Sequence, residues 1–101
     1  MKWTTDKKQQ AKRAIVEGLK DDPAIRRIII FGSFIKSDNP NDLDVAVFQS
    51  SDEKYLPLAL KYRKKLDNLA CRIALDVIPV KSDAEGSFVQ EIKRGEVIYE
   101  L

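Results

Sequence analysis

Three aspartates and one glycine–serine pair supply most of the chemistry open to this sequence. Asp42 and Asp44 flank Leu43 at the opening of an apolar run. On a strand, residues i and i+2 point to the same face, so the two carboxylates project side by side. Ionising both costs free energy unless something positive sits between them. With oxygen donors only, Mg2+ or Mn2+ suits such a pair better than zinc or copper. Asp76 lies inside a second apolar run, where aspartate is depleted and costly to bury without a partner. Placed on the strand beside Asp44, it would complete a cluster able to hold two metal ions roughly 3.5–4 Å apart for in-line attack at phosphorus. Gly32-Ser33 follows another apolar run directly. Glycine lets the backbone turn sharply and approach a ligand closely. A short helical turn from Ser33 through Phe34, Ile35 and Lys36 would aim free amides and a hydroxyl at one spot, a fit for phosphate oxygens. Lys36 would bring a cation to that spot.

Taken singly, each feature also has an ordinary reading. A Gly-Ser pair after a strand is commonly a simple turn. An isolated Asp-x-Asp is a loop cap followed by a solvated strand position. Asp76 alone fits a sheet end in water or an ion pair with Arg72. Lys36 alone fits a solvated loop.

The rest of the composition narrows the chemistry. The chain has 101 residues, 44% of them apolar and 34% charged, the balance of one soluble globular domain, read as residues 1–101. It contains no histidine and one cysteine, Cys71. That excludes imidazole acid–base catalysis, histidine-ligated metals, Ser–His–Asp and Cys–His nucleophiles, and an internal disulfide. The net charge of +2 is too mild to mark a dedicated nucleic-acid binder. No apolar run approaches the ~20 residues needed to span a bilayer, and Met1-Lys2-Trp3-Thr4 leads straight into charged sequence. No signal peptide and no membrane role are expected, and the default compartment is cytoplasmic.

The elements that must position these residues can be outlined. Asp6 to Lys20 reads as a helix with Asp6 and Gln9 at capping-box spacing, an apolar stripe of Ala11, Ala14, Ile15 and Leu19, and Gly18 then Pro23 at its end. Ile25 to Phe31 is a strand apolar on both faces, as a central strand would be, and Leu43 to Gln49 is a second strand. A helix starts between Asp52 and Pro57 and carries Leu58, Ala59, Tyr62, Leu66, Leu69 and Ala70 inward, with Lys61, Arg63, Lys64 and Lys65 outward. Ile73 to Val80 is a third strand, whose Pro79 suits an edge. Ser87 and Gln90 form a second capping-box pair opening a short helix, Gly95 fits its C′ position, and Val97-Ile98-Tyr99 offers a last strand. Two strands in succession without a helical crossover argue for a small mixed sheet of three to four strands flanked by helices, an α/β (α+β) fold.

Taken together, Phe31-Gly32-Ser33, a polar spacer, Asp42-Leu43-Asp44-Val45 and a later apolar strand bearing Asp76 resemble the polymerase-β-like nucleotidyltransferase superfamily, and within it the single-domain minimal nucleotidyltransferases. The resemblance covers nearly the whole chain, including Gly-Glu-Val-Ile-Tyr-Glu at 95–100. It implies a polymerase-β palm-like fold and transfer of a nucleoside monophosphate, AMP from ATP, with two Mg2+ ions (or Mn2+). It implies that Asp42, Asp44 and Asp76 are the catalytic metal ligands, with Asp76 also helping to deprotonate the acceptor hydroxyl. Gly32, Ser33 and Lys36 would bind the nucleotide. Lys36 stands where relatives commonly carry arginine, Ser37 where they carry glycine and Asn41 where they carry serine, and the loop from Ser33 to Asp42 is short. The resemblance further implies a helical partner of the HEPN toxin class that receives AMP, which would make this chain the antitoxin of a toxin–antitoxin pair. Other acceptors, a small molecule or an RNA end, remain open, as does an inactive relative that neutralises its partner by contact. Trp3, Tyr55 and Tyr62 are candidate partner contacts if exposed, and core packing is the stronger expectation for Tyr62.

Overall fold

The computed structural model describes residues 2–101; Met1, which opens the run read as lacking a signal peptide, lies outside them. The chain order is α1 (Thr5–Leu19), β1 (Ile25–Phe31), α2 (Ser33–Lys36), β2 (Asp42–Gln49), α3 (Tyr55–Lys65), α4 (Asp67–Ala70), β3 (Ala74–Lys81), α5 (Ser87–Lys93) and β4 (Glu96–Glu100). The four strands form one mixed sheet in the order β3-β2-β1-β4. β1 pairs antiparallel with both β2 and β4, while β2 and β3 run parallel across the α3–α4 crossover. β1, apolar on both faces, is interior as expected, and Pro79 sits on the edge strand β3, where the loss of one amide donor costs least. Among the described residues no helix is long and apolar enough to cross a membrane.

The two faces of the sheet are covered unequally, and this inequality makes the site. Ile28, Ile30, Leu43, Val45, Val47, Leu75 and Val77 join Ile15, Leu19, Leu58 and Tyr62 in the larger core, under α1 and α3. The opposite face holds a smaller cluster of Ile29, Ala46, Phe48, Val80, Val89 and Ile92, under the seven-residue α5. By strand alternation Asp42 and Asp44 share the face of Ala46 and Phe48, and Asp76 shares that of Ile78 and Val80. Asp42 and Asp76 lie beyond the apolar cluster and are exposed, while Asp44 is half-buried.

Several local expectations change. α1 is capped by Thr4, whose hydroxyl accepts from the Lys7 amide at 3.2 Å, so Asp6 sits in the first turn and not at the cap. Gly18 lies one residue before the end of α1; a Cβ there would stand 2.9 Å from Leu66 Cδ2, so it also permits close contact with the end of α3. Ala14 is exposed. The long helix divides at Leu66, whose backbone leaves the helical region before α4 begins. Arg63 faces solvent as expected and also donates to the Leu75 carbonyl. Ser87 does not cap α5; Gly86 occupies that position and no side chain bonds to the helix start. Gly95 holds the C′ position of α5 as expected, but without the left-handed conformation.

Trp3 is buried rather than exposed, and Tyr55 is exposed. Tyr62 is buried as expected, but among the described residues its hydroxyl finds no hydrogen-bond partner, and the nearby Asp22 Oδ2 meets only Lys61 Nζ, in an ion pair at 3.5 Å. Burial, then the charges of Asp22 and Glu53, push the Tyr62 phenol well above its usual range. An orphaned buried hydroxyl costs about 1–3 kcal/mol, so Tyr62→Phe should unfold in urea at the same or a higher midpoint than the parent.

Candidate active site

β1 ends at Phe31, which pairs with Asp44, and the chain then turns at Gly32 with φ +80° and ψ −153°, a region open in practice only to glycine. A Cβ on Gly32 would stand 2.7 Å from Asp44 Oδ2, so the carboxylate occupies the space that a side chain would need. The turn continues into α2, which has no side-chain cap at its start. Ser33 and Lys36 are exposed.

This turn is braced from behind. Phe34 is fully buried and meets the Trp3 ring edge-on, with centroids 5.3 Å apart. The Trp3 amide donates to the Asp38 carbonyl at 3.0 Å, and Lys8 Nζ donates to the Ser37 carbonyl at 2.6 Å. Asn39 N bonds to Ser37 Oγ at 3.0 Å. The N-terminal segment thereby fixes the loop that delivers the chain to Asp42. The sequence reading assigned no such role to Trp3 or Lys8, because the contacts join residues far apart in the chain.

The parallel register sets Asp44 directly beside Asp76 and Asp42 beside Ala74. Asp76 is therefore turned to the same side as Asp44. Burial, then the charge of Asp76, then that of Asp42, raise the Asp44 carboxyl above its ordinary range, and a proton shared with Asp76 adds to the effect. Among the described residues none of the three carboxylates has an ion-pair partner.

The arrangement is not a closed cage. Among the described residues no three His, Cys, Asp or Glu side chains are gathered tightly enough to hold a metal ion by themselves. Asp44 and Asp76 form the close pair, and Asp42 flanks them, two residues and about 7 Å along β2. A crowded, unneutralised pair of hard oxygen donors still suits a divalent cation. Mg2+ in particular is usually held by one or two carboxylates plus substrate phosphates, not by an all-protein cage.

Beside the pair lies a cleft of about 230 Å³, whose walls include Gly32, Lys36, Asp44, Glu91 and Arg94. It brings Gly32 and Lys36 to the same space as Asp44, while Ser33, Asp42 and Asp76 are not among its lining residues. It also brings in Glu91 and Arg94 from α5 and its end, which the sequence reading passed over. The string Lys93-Arg94-Gly95 reads as an ordinary basic helix end, and nothing local marks its approach to β1.

Comparison with known proteins agrees with this fold. Residues 13–101 match the family described as Polymerase beta, Nucleotidyltransferase. No curated protein matches the chain by sequence. Among solved structures, a chain of the toxin–antitoxin MntA-HepT crystal structure superposes with a TM-score of 0.67 at 20% identity, covering 92% of this chain and 73% of that one. A chain of the complex between tri-AMPylated Shewanella oneidensis HEPN toxin and MNT antitoxin gives a TM-score of 0.70 at 21% identity, covering 93% and 73%. A chain of a toxin–antitoxin crystal structure with AMP-PNP gives 0.67 at 21% identity, covering 89% and 73%. These likenesses establish a shared fold. Since the family match spans residues 13–101, which include the glycine turn and both aspartate-bearing strands, the chain belongs to the Polymerase beta nucleotidyltransferase family.

Proposed function

We propose that this chain is a metal-dependent nucleotidyltransferase of the minimal type, acting in the cytoplasm, which moves AMP from ATP onto a hydroxyl of a HEPN-class toxin and so serves as its antitoxin. The observation that carries the reading is the juxtaposition of Asp44 and Asp76 on adjacent parallel strands beside the Gly32 turn. Support for the acceptor comes from the similar fold found with a tri-AMPylated HEPN toxin, and for the donor from the one solved with AMP-PNP.

The residues divide the work as follows. Gly32 and the uncapped amides that follow it, with the Ser33 hydroxyl, receive phosphate oxygens, and Lys36 offsets their charge. Asp42, Asp44 and Asp76 would hold Mg2+ or Mn2+, which when bound lowers the pKa of an acceptor hydroxyl and neutralises charge on the triphosphate. Asp76, exposed at the sheet edge, accepts the proton that the acceptor hydroxyl gives up. The acceptor oxygen forms its bond to the α-phosphorus as the bond to pyrophosphate breaks. No step calls for histidine, of which the chain has none.

The test uses ATP labelled at the α-phosphate, with Mg2+ and an extract of the source organism. Label should pass to one protein of HEPN class, whose intact mass rises by AMP increments, and ATP labelled at the γ-phosphate should transfer nothing. Label on RNA ends or a small molecule would overturn the acceptor. Tight binding of a HEPN protein with no label anywhere would overturn the catalytic reading.

A further inference from the structure

The geometry points to Arg94 as a second cationic arm of the nucleotide site, gripping the triphosphate from across the cleft that Lys36 lines. This rests on the nucleotidyltransferase reading above and adds a ligand-binding residue to it. Both residues line one cleft of about 230 Å³, together with Gly32 and Asp44.

Arg94 is placed there by the residue after it. A Cβ on Gly95 would lie 2.3 Å from the Ile30 carbonyl oxygen and 2.9 Å from Phe31 Cβ. Both distances are too short for any side chain, so only glycine lets the end of α5 settle against the last residues of β1. The Gly95 amide donates to the Ile92 carbonyl at 2.9 Å and closes the turn. The residue before Gly95 is thereby set next to the strand end from which the Gly32 turn departs.

The guanidinium is also free to change partners. It meets Glu91 at 3.1 Å, in a pair whose side chains are 78% and 57% exposed. Such an exposed pair contributes little to stability. A triphosphate offers several oxygens in the planar spacing that a guanidinium bonds two at a time, a stronger match than a solvated carboxylate. The cleft also needs the charge. Glu91 repels an anionic ligand, and among the described residues on the cleft wall Lys36 is the one cation besides Arg94.

Calorimetric titration of the full chain with AMP-PNP and with AMP, both with Mn2+, tests this. Arg94→Ala should weaken AMP-PNP about ten- to a hundred-fold, the scale of lost charge-assisted hydrogen bonds, and leave AMP nearly unchanged. In turnover the loss should appear mainly in the KM for ATP. Arg94→Lys should recover part of it, and Glu91→Gln should bind AMP-PNP at least as tightly as the parent. Arg94→Gln, which keeps the side-chain stem, should repeat the alanine result if the latter variant folds poorly. Unchanged AMP-PNP affinity in Arg94→Ala and Arg94→Gln, or an equal loss for AMP, overturns the assignment alone. A parent protein that binds neither nucleotide overturns it together with the reading it rests on.

Discussion

Asp44→Asn is expected to lower nucleotidyl transfer by at least about a thousand-fold, the scale of removing a main electrostatic element of a transition state, and to raise the melting temperature of the metal-free protein. Asparagine keeps the shape of the side chain that fills the space beside Gly32, so the turn should hold. It loses the charge that the metal would need. Normal turnover by this variant in Mg2+ and ATP would remove Asp44 from the metal site.

The stability half follows from the crowding. Burial first, then the charges of Asp76 and Asp42, raise the Asp44 pKa in the folded protein. The native state therefore holds its proton more tightly than the unfolded chain does. The benefit is complete at low pH, below the unfolded carboxyl range, and is lost as pH rises through the raised native value. As pH rises, ionising Asp44 in this crowded place costs stability, and a neutral amide avoids that cost. Thermal melts without metal should place Asp44→Asn above the parent at neutral pH, with the gap closing on acidification. Mg2+ or Mn2+ should raise the parent's melting temperature and leave the variant's nearly fixed. A variant that melts lower at neutral pH would mean that a cationic group of the protein already neutralises Asp44.

The parts of this site that were legible in the sequence are those set by local rules. The period of two along β2 puts Asp42 and Asp44 on one face, and the β-branched run to Phe31 stopped by Gly32 marks a strand and a turn. The register that brings Asp76 to Asp44 is set by the parallel pairing across α3 and α4, and only the family resemblance anticipated it. What escaped was tertiary. Trp3 looked like a loose end because its partners, Phe34 and the Asp38 carbonyl, lie more than thirty residues away. Gly18 and Gly95 do lie at helix ends, as glycine commonly does, but nothing local shows that each also clears space for a neighbouring element. Asp6 and Ser87 satisfied a spacing rule, but Thr4 and Gly86 took the caps.

Gly32→Ala should both destabilise the fold and disable the site, and a matched control separates the two effects. Forcing a side chain into this backbone region costs about 1–3 kcal/mol. For a domain of this size that corresponds to roughly 4–8 °C in melting temperature per kcal/mol. Gly86 provides the control, since it also has a positive φ, +121°, but none of the described residues comes within 4 Å of its missing Cβ. Gly86→Ala should therefore melt lower and retain turnover below its melting point. Gly32→Ala should melt lower and lose turnover even where circular dichroism shows it folded, because its methyl group must displace the Asp44 carboxylate now 2.7 Å away. Adding Asp44→Ala to Gly32→Ala removes the obstructing oxygen, so the double variant should regain part of the lost stability and none of the activity. If the two changes instead add without coupling, the carboxylate does not press on the turn, and the loss of activity in Gly32→Ala must come from the backbone alone.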